Sequence, residues 1–101
     1  MATTSKTLFR GAATTTTTTT LYTVPSATTA IVTNILVTNT AASAGTFTMS
    51  LGGTSIATTV SVGANDTTII DLKQVLTATQ TIQGGASATT INFHIAGVEI
   101  A

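Results

Sequence analysis

Residues 46–62 read TFTMSLGGTSIATTVSV, and their pattern decides the fold class. Phe47, Met49 and Leu51 alternate with Thr46, Thr48 and Ser50, the period-two spacing of a strand with one buried face. Gly52-Gly53 then offers two consecutive residues that tolerate positive φ, the chemistry of a tight hairpin turn. Residues 54–62 return as a weaker strand. This is an antiparallel β unit, and the question is whether the rest of the chain can be read the same way.

It can, on both sides. AIVTNILVTNT at 30–40 places Ile31, Ile35 and Val37 on one expected face and Val32 and Leu36 on the other, as in a central strand. Leu21 to Val24 ends at Pro25, which has no N–H for a sheet ladder. GAND at 63–66 is a turn leading into TTIIDL. DLKQVLTATQ at 71–80 is the one candidate helical turn, because Leu72, Val75 and Leu76 have i, i+3, i+4 spacing and Asp71 suits an N-cap. QTIQ forms a short strand before Gly84-Gly85. TTINFHIAGVEI closes the chain with Ile91, Phe93 and Ile95 on one face and Gly97 as a candidate bulge. The expectation is an all-β chain: a single β-sandwich, jelly-roll or Ig-like, of about seven short antiparallel strands. The sandwich domain is expected over residues 14–101, with residues 1–13 as an extended N-terminal arm.

Threonine, valine and isoleucine, stiff at χ1, favour extended backbone throughout. Of 101 residues 28 are threonine, whereas only 6% are charged, against about 25% in an ordinary soluble domain. The charged residues Lys6, Arg10, Asp66, Asp71, Lys73 and Glu99 sum to zero. Three scattered cations make no basic patch, so nucleic acid is not an expected partner. Four aromatic residues make no stacking platform, and no apolar run reaches the ~20 residues of a membrane span. The N-terminus has no apolar core of a secretory signal. With no cysteine there is no disulfide framework.

The residues that could carry chemistry are few and poorly grouped. His94 stands alone and is expected to point away from the Phe93 face. Glu99, five residues on, faces the opposite side of a regular strand. Asp66 reads as a turn residue and Asp71 as a cap, so they form no general acid–base pair. Neither Gly-Gly pair is followed by the lysine or helix of a phosphate loop. No enzyme activity, metal or cofactor is expected. Ranks of outward threonine would suit an ice or crystal surface, but no fixed internal period repeats them.

An uncharged β protein has little with which to protect its sheet edges, and near-zero net charge favours association. The expectation is therefore that edges are consumed in a fixed assembly. The tract Thr14–Thr20 is read as an extended strand able to pair with a sheet edge while its hydroxyls satisfy a wet interface. The arm KTLFRG supplies Leu8 and Phe9 as an apolar plug and Lys6 and Arg10 as charge contacts. Lys6, Leu8, Phe9, Arg10, Thr14, Thr16, Thr18 and Thr20 are the candidate docking residues.

TLYTVPSATTAIVTNILVTNT, TFTMSLGGTSIA, DLKQVLTATQTIQGGAS and the terminal INFHIAGVEI resemble small β-sandwich structural proteins of tailed bacteriophages over roughly residues 20–100. LYTVP, NILVTNT and the terminal GVE are the most specific pieces. The resemblance implies a virion component: first a capsid decoration (cement) protein on the outer capsid surface, bridging subunits of the major capsid protein as a homotrimer. Alternatives are a tail or head-fibre component, or a host-surface adhesion module. The threonine tract departs from the family pattern.

Overall fold

The computed structural model describes residues 2–101. Eight strands, and no helix among the described residues, run β1 Thr3–Ala12, β2 Thr20–Thr23, β3 Thr29–Asn39, β4 Gly45–Leu51, β5 Thr54–Val62, β6 Thr67–Leu76, β7 Thr81–Ala86 and β8 Ile91–Ile100. They form two four-stranded sheets, A in the order β1-β8-β3-β6 and B in the order β2-β7-β4-β5. All pairs are antiparallel. First pairs with last, second with seventh, third with sixth, fourth with fifth. This is one long hairpin rolled up, the jelly-roll sandwich.

The core lies between the sheets. Alternate residues Ile91, Phe93 and Ile95 of β8 face Phe47 and Met49 of β4, all at most 1% exposed. The rings of Phe47 and Phe93 meet edge-on across the gap, with centroids 6.1 Å apart and planes at 68°. Such a pair adds about 0.5–1.5 kcal/mol to the burial of its area. The glycine hairpin forms as its chemistry requires, with φ of +58° at Gly52 and +84° at Gly53.

Three expectations need correction. The strand count is eight, because the extended segment expected beside the domain is β1, paired with β8 from Thr3↔Ile100 to Ala12↔Asn92. DLKQVL is not helical: it continues β6 and pairs with β3 through Leu76↔Ala30. Its helical spacing fits a bulged strand equally well, since two residues of β6, Leu72 and Lys73, stand where β3 has only Thr33. Asp71 is accordingly an exposed strand residue, not a cap.

The third correction is the tract. Residues 13–19 are not a strand, and only Thr20 enters β2. The loop instead runs along the edge of β7 beyond the end of β2, where the Thr14 and Thr19 carbonyls accept the N–H groups of Ala86 and Gly84, each at 2.9 Å. Its own hydroxyls hold its shape: Thr14 Oγ1 and Thr19 Oγ1 hydrogen-bond to each other at 2.6 Å, and the proton not used between them goes to the Thr16 carbonyl, which lies 3.1 and 2.9 Å from the two oxygens. Side chains that bond nearby backbone offer the chain an alternative to the ladder, and here that alternative wins.

Candidate functional site: a docking face

β8 alternates without interruption, so its odd residues 91–99 face the core side and its even residues 92–100 face out. The irregularities sit in its neighbours. Leu8 is an extra residue in β1 between Thr7↔Ala96 and Phe9↔Ile95, and Thr33 is an extra residue in β3 between Val32↔Gly97 and Asn34↔Ala96. Gly97, expected as the bulge, is what both bulges surround. The Thr33 bulge also resorts β3. Val32 joins Ile35 and Val37 in the core, and Ile31 moves to the outer face with Leu36, opposite to the uniform alternation expected.

The outer face of sheet A can therefore be read row by row across β1, β8, β3 and β6. One row is Arg10, His94, Leu36, Ile69; the next is Thr7, Ala96, Asn34, Asp71; the third is Ser5, Val98, Ile31, Val75. Ile69 and Val75 are 62% and 60% exposed, and Leu36, Ile31 and Val98 are half-buried. Between the first two rows lies a hollow of about 290 Å³, lined by Thr7, Arg10, Asn34, Leu36, His94, Ile95 and Ala96. Half of the twelve residues in these rows are apolar: Leu36, Ile69, Ala96, Val98, Ile31 and Val75. Of the paired residues in these rows, only Arg10 on β1 and Asp71 on β6 carry a fixed charge, at opposite edges.

Sheet B presents the opposite character. Its outward positions on β4 are Thr46, Thr48 and Ser50, paired laterally with Ser61, Gly85, Gln83 and Ser55. The sandwich thus has one outer face rich in hydroxyls, with Ile56 of β5 at 40% its exposed large apolar side chain, and one outer face that exposes more apolar surface, at Ile69 and Val75.

The expected docking residues do not act together. Leu8 is buried, at 7% exposure, and Phe9 packs against the core, so the apolar plug fills the protein's own interior. Lys6 points to the core side of β1, where its Nζ donates to both Glu99 carboxylate oxygens at 3.3 Å. The Tyr22 hydroxyl of β2 donates to the same carboxylate. That hydrogen bond, helped by Lys6 and opposed by partial desolvation, holds the Glu99 carboxyl below its usual range. Burial, with Glu99 nearby, pushes the Tyr22 phenol well above its ordinary value. The group ties the two sheets together at one edge. Thr14 and Thr16 belong to the loop described above, Thr18 is exposed, and Thr20 accepts a 3.4 Å bond from Gln83 Nε2. Of the eight, Arg10 alone lies on the outer face of sheet A.

His94 is exposed on the outer face and Glu99 lies on the inner side, as the alternation requires. Asp66 is a turn residue whose carboxylate accepts the Thr67 N–H at 2.8 Å. Among the described residues no three His, Asp or Glu side chains gather at metal-binding distance. Sequence reading missed Ile69 and Val75 as exposed apolar positions, although an Ile-Ile pair in TTIIDL must send one isoleucine outward in any strand. No protein-family model and no curated protein sequence matches the chain.

Proposed function

We propose that this protein is a non-enzymatic structural component of a virus particle, in the first place a capsid decoration protein that stabilises the shell by bridging its subunits. The observation that carries an assembly role is the contrast between the two outer faces. An outer sheet face with isoleucine and valine 62% and 60% exposed invites cover by another protein surface. The jelly roll supports the virion reading, because it recurs in capsid domains; it recurs in lectins too, so the fold alone does not decide. The phage character comes from the sequence resemblance. In mechanism the protein acts by burying area and by offering the free edges of β1 and β6 for strand addition, with no bond-making chemistry. A tail or head-fibre location is the second reading, favoured by the same resemblance.

The test is saturation binding of the purified protein to mature capsids and to separated tails. Saturable binding to capsids supports decoration. Binding to tails alone moves the protein to the fibre reading, and binding to neither overturns both. Truncation of residues 1–13 is not a useful control, because it removes β1 from the sheet.

A further inference from the structure

We propose that the outer face of sheet A is covered by the same face of a second copy, in a twofold pair whose axis runs along the strands between β8 and β3. The inference rests on the reading of this face as a docking surface, and it names the occupant.

The argument is one of charge and register. A twofold axis in that position places β1 of one copy over β6 of the other and β8 over β3. Each row then meets itself reversed. Val98 packs on the second copy's Ile31, and His94 on its Leu36, next to the axis. At the margins Arg10 lies one row from the second copy's Asp71, and the relation repeats on the other side. Arg10 makes no salt bridge within the described residues, and neither does Asp71. The face carries Arg10 at its β1 edge and Asp71 at its β6 edge, with Lys73 beside Asp71 in the bulge, and the operation brings Arg10 and Asp71 to the same margin. Lys73, exposed in the β6 bulge, meets the hydroxyl-bearing positions of the second copy's β1.

The size is adequate. Four strands about 4.8 Å apart and about ten residues long span on the order of 600 Å² before side-chain relief. Specific stable interfaces begin at about 1,200 Å² in total, or about 600 Å² per partner, which this face reaches. Sheets packed face to face in this way stand about 10 Å apart, within reach of an arginine at the rim. The threefold implied by the resemblance has no counterpart in this charge pattern.

The experiment is sedimentation equilibrium on the full chain, using interference optics because there is no tryptophan. A mass of two chains at micromolar concentration is expected. Arg10→Asp and Asp71→Arg should each weaken the dimer at least about tenfold, and the double reversal should restore most of it. Ile69→Lys, which sets a cation over the second copy's Arg10 at an exposed position outside the core, should give a folded monomer by circular dichroism. A monomeric wild type, a trimer, or reversals that fail to rescue one another would overturn the pairing. Capsid binding by a monomer would overturn this inference and leave the proposed function standing; a dimer that binds no capsid would do the reverse.

Discussion

Leu8 and Gly97 share one space: a Cβ built on Gly97 would stand 2.8 Å from Leu8 Cδ1 and press into the Ile31 carbonyl oxygen. The bulged residue of β1 thus fills the volume that the missing side chain of β8 vacates. Gly97→Ala should destabilise the protein by about 1–3 kcal/mol, the usual range for overpacking. Urea denaturation reads it, and a midpoint equal to wild type would refute the arrangement.

Leu8 is a core residue, and its loss should show as stability. Leu8→Ala is expected to cost about 2–5 kcal/mol. Deletion of residues 1–13 should give a chain that fails to fold cooperatively, since it strips β8 of one neighbour. A truncated protein with an unchanged thermal transition would return the segment to the role of a free arm.

Glu99 sets an acid limit. Its folded pKa lies below the ordinary value of about 4.3, so the unfolded chain binds the proton first as pH falls. Its contribution is present above about pH 4.3 and is lost as pH drops through the lowered folded value. Tyr22 is displaced the other way, so its contribution is present below about pH 10 and fades above it. Thermal transitions from pH 2 to 7 should fall less steeply in Glu99→Gln than in wild type. Parallel curves would show that the Tyr22–Glu99–Lys6 group does not couple to folding.

Asn39 is 1% exposed and is the best-connected polar side chain of the sandwich. Its amide donates to the carbonyls of Ser43, Val62 and Gly63 at 2.9–3.3 Å, and its oxygen accepts the Ala41 N–H at 3.0 Å. It joins the loop after β3 to the turn after β5. Asn39→Leu, which removes the partner of the Ala41 N–H and of the Ser43 carbonyl, should cost about 2–4 kcal/mol. A loss under half a kilocalorie in chemical denaturation would mean that water replaces it.

The threonine loop makes a local prediction. With Thr14→Val and Thr19→Val together, amide exchange at Gly84 and Ala86 should quicken by roughly tenfold, a hydrogen bond's net worth. The melting temperature should move little, because Thr14 and Thr19 lie outside the hydrophobic core. Unchanged exchange would assign the loop's shape to its backbone alone.

The parts of the fold legible in sequence are those where one local rule suffices. TFTMSLGG carries its strand, its inward face and its turn in eight letters, and Phe93 and Ile95 sort themselves by alternation. What stayed hidden depends on neighbours. Nothing in KTLFRG distinguishes an arm from an edge strand until β8 is there to pair with it. DLKQVL satisfies two periodicities, and pairing with β3 decides between them. The side reversal at Thr33 is invisible because a bulge without glycine leaves no residue signature. The docking face suffered most, since a one-residue slip determines whether Ile31 or Val32 meets water.

The backbone of Ala2 and that of Ala101 exchange hydrogen bonds of 2.8 and 2.9 Å, so the two ends of the described chain leave the molecule side by side. The roll is 46 Å long, and both ends depart together. A short linker could close the chain into a circle without disturbing a strand, and new termini could be opened at the exposed Gly52-Gly53 turn. A passenger fused to either end would occupy the same spot in space. Head-to-tail duplicates joined there would have to fold back on one another instead of extending as a string, which makes this sandwich a building block for compact multiples and a poor one for filaments.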